Sequence, residues 1–453
     1  MDKGLLLKYE GNFPRYTSYP TAPNFSADFD SISYQNWLEQ ITNQNLSLYF
    51  HIPFCDQLCW YCGCFTTVTK RYEPIKSYIE SLEKEIALVS KILKGKGNKI
   101  SHIHFGGGSP TILAADDFLR LVTTIKNSFE LEEAAQIAIE IDPRNIDEEK
   151  VSAYAKAGVN RASIGVQDFN EEVQKAINRE QSFDVVKNAV DLLRKYQISA
   201  INFDLIYGLP KQTTQGVLKN IEISLKLNPA RIALFSYAHV KWKKKQMRLI
   251  DEADLADSKT KIEMYDLAAK ELVKSGYASV GLDHFVLPDD EMFSDYKAKK
   301  LKRNFQGYSS DKGDFIIGFG LSSIGYLSQG YVQNSLDFEE YKKLLNALKL
   351  PVKKGCEISV SDKMRKKIID SLMCYFEVDL KAIAQEFDLA EDYFAAEILR
   401  LESLKKDGLV FFEDSVVKVN QNFPQILRVV CAAFDEYFWR DSADLQIRHS
   451  KIS

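Results

Sequence analysis

From residue 46 to about residue 240, short apolar or β-branched runs alternate with longer stretches whose apolar positions recur at helical spacing. This alternation is typical of βα units that build a parallel sheet. The spacing of roughly 30 residues fits one strand and one crossover helix per unit. Six such units predict an α/β fold, a partial (βα)6 TIM-like barrel. The predicted strands are residues 46–52, 100–105, 137–141, 161–166, 199–206 and 231–237.

Polar residues fall on alternate positions of several predicted strands. Glu140 stands between Ile139 and Ile141, and the strand after next repeats the pattern around Asp204. With a period of two, one face of each strand is apolar and packs on the outer helices, while the other face points into the lumen. Barrels of this type bind ligands at the carboxyl ends of their strands. A half-solvated antiparallel sheet would alternate too, but it would not need crossover helices.

The chain divides into three predicted domains. Residues 1–45 form an N-terminal extension over the active site, and residues 46–355 form the barrel and its rim. Residues 356–453 form a mostly helical domain, in which a predicted helix pair and an alternating segment at 409–419 resemble a winged helix. The second helix of the pair, predicted at 391–406, carries no excess of basic over acidic residues, which favours a lid or packing role over DNA recognition.

Length and charge narrow the function classes. At 453 residues the chain exceeds the ~250–300 residues of a usual single core, so two or three domains are expected. A net charge of −4 argues against nucleic-acid binding. No run approaches the ~18 apolar residues of a membrane span, and residues 1–4 do not begin a signal segment. We therefore expect a cytoplasmic protein with no membrane partner.

Four of the seven cysteines lie within residues 55–64, an arrangement that does not form a disulfide framework. Cys55, Cys59 and Cys62 make a C-x3-C-x2-C array. Three such thiolates can hold three irons of a [4Fe–4S] cluster and leave the fourth iron open. A zinc site or unpaired core cysteines are the alternatives, but no second Cys/His cluster follows at zinc-ribbon spacing. Cys64 stands too close to Cys62 to serve easily as a fourth ligand, and is a candidate active-site thiol.

A glycine-rich turn at 102–111 follows the second predicted strand, one βα unit after the cysteines. Alone it is a weak signal, because it lacks the residues of a phosphate-binding or dinucleotide-binding loop. Together the two motifs resemble the radical S-adenosylmethionine (SAM) superfamily. That resemblance implies that SAM ligates the open iron through its amino and carboxylate groups, and that reductive cleavage of SAM yields a 5′-deoxyadenosyl radical.

Nearly the whole chain resembles one family of that superfamily, the oxygen-independent coproporphyrinogen III oxidases. The resemblance implies anaerobic conversion of two propionates of coproporphyrinogen III to vinyl groups in haem biosynthesis. The matching segments are residues 14–21, 49–55, 165–170, 178–181, 204–212, 237–239, 283–285 and 303–308, with Cys64.

The family pattern implies two SAM molecules near the cluster. Ser109 stands where threonine is expected, but it keeps the hydroxyl. The chemistry of the side chains agrees, since a carboxylate can accept hydrogen bonds from ribose and an arginine can bind a carboxylate. The positions implied for the first SAM are Tyr49, Gly107, Glu140 and Ile324, and those for the second are Tyr61, Gly108, Ser109, Gln167, Arg179, Asp204 and Ala238.

The same resemblance implies a flavodoxin- or ferredoxin-type electron donor, an electron acceptor that the sequence does not identify, and a monomer. On chemistry alone, Arg15, Tyr16 and Arg303 are candidates for holding substrate carboxylates. The lysine-rich segment 241–245 is interpreted as a solvated loop, with contact to the propionates as the alternative.

Two alternative functions are disfavoured by features of the sequence. A radical-SAM-like haem chaperone would bind haem without dehydrogenase activity, but such relatives generally lack the cysteine at position 64 and the leader at 14–21. They also carry a different segment at 303–308. A metal-stabilised winged-helix regulator would need a basic face, which the C-terminal residues do not supply.

Overall fold

The computed structural model describes residues 4–440 and 450–452, so the outermost residues of the first and third predicted domains lie outside it. Six parallel strands, β1 to β6, lie side by side in chain order, and β9 pairs parallel to β1 on its other side. The main sheet consists of β1 Asn45–Ile52, β2 Lys99–Gly107, β3 Leu131–Ile141, β4 Arg161–Gln167, β5 Ala200–Tyr207, β6 Arg231–Ser236, β7 Ala278–Val280, β8 His284–Val286, β9 Phe315–Phe319, β10 Ile324–Leu327, β11 Gly330–Asn334 and β12 Val352–Glu357.

The partial α/β barrel is therefore confirmed, with short antiparallel strands extending both edges of the sheet. Helices α3, α4, α5, α7 and α8 are the crossovers between successive parallel strands. The helices are α1 Gly4–Lys8, α2 Ser31–Glu39, α3 Glu73–Leu93, α4 Ala115–Ser128, α5 Glu148–Ala157, α6 Glu171–Ala176, α7 Phe183–Lys195, α8 Thr214–Leu225, α9 Ser258–Lys274, α10 Glu291–Lys297, α11 Phe338–Asn346, α12 Val360–Tyr375, α13 Leu380–Glu386, α14 Ala395–Lys406, α15 Leu427–Ala433 and α16 Glu436–Arg440.

Burial follows the predicted two-residue period most clearly in β4. Ala162, Ile164 and Val166 are fully buried against the helices, while the residues between them are half-buried and face the lumen. The third predicted strand begins six residues earlier than expected, at Leu131. Its first residues combine apolar and charged side chains that are partly exposed. They therefore show no apolar alternation by which the sequence could indicate a strand.

A second apolar core joins the two ends of the chain. Leu6, Tyr16 and Tyr19 of the N-terminal segment pack among the residues of α12 to α16. The C-terminal unit also holds a three-stranded sheet, β13 Glu377–Asp379, β14 Val410–Glu413 and β15 Val416–Val419, in the order β13-β15-β14. Two helices between β13 and β14 give it the helix and hairpin order of a winged helix.

Three pairs of short strands lie outside the main sheet. The strand Asn12–Phe13 pairs antiparallel with Ser450–Lys451, which brings the two chain ends together as a ribbon. Two more pairs, Phe54–Cys55 with Thr67–Val68 and Lys302–Asn304 with Gly307–Ser309, flank the barrel mouth. Among the described residues no helix is long and apolar enough to cross a membrane.

Candidate active site

One cavity of about 630 Å³ opens from the barrel lumen, and it is lined by the cysteine loop on one side and by the N-terminal segment on the other. Ile324 does not line it, but lies half-buried on β10 beside Phe25 and Tyr331. Of the three candidates for holding substrate carboxylates, Arg15 lines the cavity, whereas Tyr16 and Arg303 do not. The remaining predicted residues line the cavity: Tyr49, Cys55, Cys59, Tyr61, Cys62, Cys64, Gly107, Gly108, Ser109, Glu140, Gln167, Arg179, Asp204 and Ala238.

The glycine turn at the end of β2 is required by close backbone contacts. Gly107 has a φ of 116°, and a Cβ there would lie 2.8 Å from the ring of His51. A Cβ at Gly108 would lie 2.7 Å from the carbonyl oxygen of Phe54. These positions admit only glycine, so the backbone at the cavity edge stays accessible to a ligand.

Glu140 lies at the centre of a polar group built by β1, β2 and β3. Its carboxylate accepts hydrogen bonds from the Gly107 amide at 3.2 Å and pairs with His104 Nε2 at 3.1 Å. The His104 ring stacks on Tyr49, with 5.8 Å between the ring centroids, and the Tyr49 hydroxyl lies 3.0 Å from His51 Nδ1. Glu140 is therefore fixed in orientation while part of its surface stays open to the cavity.

The three cysteine sulfurs have different surroundings on one loop. Thr66 donates to Cys55 Sγ at 3.2 Å, and the Cys64 amide contacts Cys62 Sγ at 3.4 Å. Burial raises the pKa of Cys55 to about 12. Hydrogen bonding from the Cys64 thiol and amide lowers the pKa of Cys62 to about 6. Cys59 is buried and faces Arg179 Nη1 at 3.6 Å.

This donor set fits a cluster better than a single zinc ion. Among the described residues, no three His, Cys, Asp or Glu side chains converge tightly enough to hold one metal ion. In a cubane each cysteine ligates a different iron, so the sulfurs stand farther apart than around one ion. Neighbouring arginines would offset the negative charge of three thiolates.

Arg179, Asp142 and Arg144 form an ionic group behind the cysteine loop. Asp142 accepts from Arg144 Nη2 at 2.6 Å and from Arg179 Nη1 at 3.2 Å. Burial raises the pKa of Asp142, but the charge of Arg179 and the bonds from Arg144 outweigh burial and lower it to about 2. Asp142 therefore stays ionised and holds both guanidinium groups beside Cys59.

Asp204 occupies the lumen between β4 and β5. It accepts from Ser163 Oγ and Asn202 Nδ2, both at 2.8 Å. Burial raises its pKa to about 6, so the carboxylate is held in an unfavourable environment near neutral pH. A ligand that donates hydrogen bonds to such a carboxylate stabilises its ionised form.

Three arginines gather around residues 13–15 of the N-terminal segment, and Arg15 is the one of them that lines the cavity. The part of the cavity beside Arg15 is termed the arginine end. Arg15 is exposed to the cavity and donates to the Ser236 carbonyl at 3.2 Å, while Arg303 lies 4.5 Å above the ring of Tyr308. Arg428 is buried behind them, and burial, with Arg15 nearby, lowers its pKa to about 9. Burial raises the pKa of Asp283, but the hydrogen bond with His284 and the charges of Arg303 and Arg15 outweigh burial and lower that pKa below its usual value.

The chain is similar to known proteins along nearly its whole length. The radical SAM superfamily model matches residues 49–222. An oxygen-independent coproporphyrinogen III oxidase from Bradyrhizobium diazoefficiens is 42% identical over 429 residues, which cover 94% of this chain and 95% of the relative. The chain belongs to the oxygen-independent coproporphyrinogen III oxidase family. A relative of the same name from Escherichia coli is 36% identical over 446 residues, which cover 98% of this chain and 97% of the relative.

A solved structure agrees with this assignment. The coproporphyrinogen III oxidase from Escherichia coli, which is described as a radical SAM enzyme, has a TM-score of 0.90 and 36% sequence identity. The match covers 95% of this chain and 98% of that chain. A match of this extent reaches beyond the barrel. A [4Fe–4S] cluster and SAM are the cofactors of this family.

Sequence reasoning missed two contributors to the site. His104 alternates with His102 on β2, and that period of two could have placed it in the lumen beside Glu140. Arg428 carried no such signal, because it lies in an apolar helical segment far from the motifs. The lysine-rich segment also differs from a fully solvated loop, since Lys244 donates to the Cys64 carbonyl at 2.9 Å.

Proposed function

We propose that this chain catalyses the anaerobic oxidative decarboxylation of two propionates of coproporphyrinogen III, giving protoporphyrinogen IX. The observation that carries the proposal is a cavity lined both by the three-cysteine loop and by Arg15, which belongs to a group of three arginines. The names of relatives that match nearly the whole chain support the same reaction.

Each conversion removes a hydrogen atom from the propionate β-carbon, one CO2 and one electron, and leaves a vinyl group. Side-chain acids and bases cannot break an unactivated C–H bond, so a cofactor must supply the reactive species. When bound, the cluster and SAM supply a 5′-deoxyadenosyl radical that takes the hydrogen atom. The protein binds, orients and shields the reactants.

In this proposal Cys55, Cys59 and Cys62 hold the cluster. Tyr49, Gly107 and Glu140 bind the first SAM, since the glycine turn and the fixed carboxylate face the cavity beside the cysteine loop. Ile324 lies apart from the cavity lining, and its contact with the first SAM stays a prediction.

A second SAM would lie deeper against β4 and β5. Arg179 Nε is buried and has no partner among the described residues, although its Nη2 donates to the Gly165 carbonyl at 2.7 Å. The Nε of Arg179 is therefore available to donate a hydrogen bond to a carboxylate. Asp204 offers acceptors to ribose hydroxyls. The remaining proposed contacts with the second SAM are Tyr61, Gly108, Ser109, Gln167 and Ala238.

The substrate carboxylates are proposed to bind at the arginine end. Arg303 Nε is buried without a partner in the described part of the chain, and Arg15 is open to the cavity. A cation that is open to the cavity and has a second cation beside it favours carboxylates, to which guanidinium groups donate paired hydrogen bonds. Tyr16 is not suited to this role, because its hydroxyl donates to Asp435 at 3.1 Å inside the second core.

The remaining assignments belong to the same proposal. We expect a flavodoxin- or ferredoxin-type donor, an acceptor of the substrate electron, a cytoplasmic location and a monomer. The predicted domains at 1–45, 46–355 and 356–453 are part of the same proposal. The N-terminal segment contributes to both apolar cores, with Tyr34 and Trp37 in the barrel core and Tyr16 and Tyr19 in the second core. This packing supports a role for the N-terminal extension as a cover over the cavity.

The decisive experiment is anaerobic. The reconstituted protein is incubated with dithionite, SAM, coproporphyrinogen III and an electron-accepting extract, and products are followed by mass spectrometry. Loss of two CO2 per substrate with formation of 5′-deoxyadenosine is expected. SAM cleavage without porphyrinogen product, together with stable haem binding, would overturn the proposal in favour of the haem chaperone.

A further inference from the structure

The segment 241–249, which we term the basic loop, lies directly beside the cysteine loop. Lys244 Nζ donates to the Cys64 carbonyl at 2.9 Å, and Gln246 Nε2 donates to the Cys62 carbonyl at 2.7 Å. These two hydrogen bonds hold the basic loop against the backbone that carries the cluster ligands. A molecule bound to this loop would therefore lie close to the cluster.

Apolar packing fixes the basic loop from behind. Met247 is buried, and it belongs with the buried Ile250 to a small core that includes Trp60 and Tyr61 of the cysteine loop. Because the two loops share a core, the outer face of one has a defined position relative to the other. The basic loop is thus part of the site rather than a freely solvated connection.

The outer face of the basic loop combines positive charge with exposed apolar side chains. Trp242 is 50% exposed and Leu249 is 61% exposed. Lys245 and Arg248 are exposed as well, and no ion pair joins either of them to a carboxylate within residues 4–440 and 450–452. Exposed aromatic and apolar groups bordered by cations are typical of an interaction surface.

The charge of this face contrasts with that of the whole chain. The chain carries a net charge of −4, yet the basic loop holds four lysines and one arginine. The carboxylates that follow are partly engaged: Glu252 pairs with Lys241, and Asp251 accepts from the Ala253 amide at 2.9 Å. A local positive patch on an acidic protein attracts an acidic partner to this face.

We propose that the basic loop is the docking surface for a small acidic electron-transfer protein, one that carries a reduced flavin or an iron–sulfur centre. This inference rests on the proposed function. Each SAM cleavage consumes one electron, so the docked protein is oxidised by one electron as the cluster is reduced. Electron transfer falls steeply with distance, which requires the donor to bind on the side of the cluster that faces solvent.

Other occupants fit the loop less well. The substrate carboxylates already have the arginines of the opposite cavity end, and most of the basic loop faces outward rather than into the cavity. Nucleic acid would need a wider field of phosphate contacts than five cations on an acidic protein provide. Electron-transfer encounters, by contrast, use small interfaces with complementary charge.

The test compares two double variants of equal charge change. Lys245→Glu with Arg248→Glu alters the basic loop. Lys91→Glu with Lys94→Glu alters exposed lysines near the end of α3, which leads into the amino end of β2 at the opposite end of the barrel. Each protein is assayed with a reduced flavodoxin and, separately, with dithionite. Flavodoxin binding is measured with both the cluster-loaded and the cluster-free protein.

For the basic-loop variant we expect flavodoxin-driven SAM cleavage to fall roughly 10-fold or more at low ionic strength, with a matching loss of binding. Dithionite-driven cleavage should stay within twofold of the parent. The α3 variant should behave as the parent with both reductants. Carbodiimide cross-links from flavodoxin carboxylates should map to lysines of the basic loop.

Equal flavodoxin-driven rates in both double variants, or cross-links that map elsewhere, would overturn the docking proposal. Failure of the proposed function is a separate result, since it would appear as absence of porphyrinogen product even with dithionite. A Trp242→Ala variant, which leaves the charge unchanged, should weaken flavodoxin binding at every salt concentration, whereas the charge variants should lose their effect at high salt.

Discussion

The two ends of the cavity both hold buried arginines, but their charges are balanced differently. At the cysteine end, Arg144 and Arg179 share Asp142 and also face the Cys59 sulfur. At the other end, Arg15 and Arg303 have Asp283 as the carboxylate within their electrostatic reach, and Arg428 adds a third cation beside them. The first end is balanced by protein groups and cluster thiolates, while the second carries excess positive charge.

This difference separates arginines that stabilise the fold from arginines whose charge is available to bind a ligand. A buried cation with its own carboxylate is a fixed part of the structure, and removing the partner is costly. A cation that has only uncharged oxygens as partners keeps its charge available. Arg428 is of this second kind in the described part of the chain, since it donates to the Pro14 carbonyl at 2.9 Å, the Lys451 carbonyl at 2.8 Å and the Ser450 hydroxyl at 3.0 Å.

The largest effect is expected at the cysteine end. Cys59→Ser removes one thiolate, so the reconstituted protein should lose its cluster absorption, most of its bound iron and all detectable SAM cleavage. Visible absorption and iron content measure this directly. Cys356→Ser is the matched control, because Cys356 lies outside the cavity lining, and it should keep full iron content. Normal cluster loading in Cys59→Ser would contradict the ligand assignment.

Removing the negative charge that Arg144 and Arg179 share should lower the stability of the fold. Asp142→Asn leaves two buried guanidinium groups without their shared anion, so we expect unfolding free energy to fall by about 3–5 kcal/mol. Urea unfolding of the cluster-free protein measures the change. Asp191→Asn, in an exposed pair with Lys187, should cost less than about 1 kcal/mol. Equal losses in the two variants would show that the buried ion group has no special role.

The barrel was predictable because its signal is local. Strand β4 alternates between lumen and core residues, and the cysteine and glycine motifs follow the ends of β1 and β2, so pattern and spacing place them together. The positions of Glu140 and Asp204 in the cavity follow from the same period of two. Their detailed hydrogen bonds could not be predicted, since these depend on neighbouring strands and their register.

The non-local parts could not be derived in this way. Arg428 meets Pro14 across 414 residues of sequence, and no pattern near either residue indicates the contact. The buried Glu85 is similar, because its partners Asn334 and Tyr341 lie 249 and 256 residues away in the sequence. Such groups depend on how separate elements pack, which a single sequence does not encode as a periodic signal.

A smaller effect is expected at the arginine end. Arg15→Gln removes a charge that the protein does not otherwise balance, so the fold should be retained while the KM for coproporphyrinogen III rises roughly 10- to 100-fold. Steady-state kinetics at saturating SAM measures this. SAM affinity should stay unchanged, in contrast to Arg179→Gln at the other end.

The control for Arg15 is Arg120→Gln, a surface arginine paired with Glu83 and Asp117. It should leave both the substrate KM and SAM affinity as in the parent. Weaker SAM binding in Arg15→Gln with an unchanged substrate KM would mean that the two ends do not divide their ligands as proposed.

The smallest effect concerns Asp204, between the two ends, and it depends on pH. Its pKa in the folded protein is raised to about 6, above the ordinary value of 3.8, so the folded state binds the proton more tightly than the unfolded state. Ionisation therefore costs stability as pH rises from about 4 to about 6. Over that range the parent should lose about 1–2 kcal/mol relative to Asp204→Asn, as measured by urea unfolding of the cluster-free proteins. A difference that stays constant with pH would show that Asp204 is not held against its ionisation, and that the middle of the cavity is as well balanced as its cysteine end.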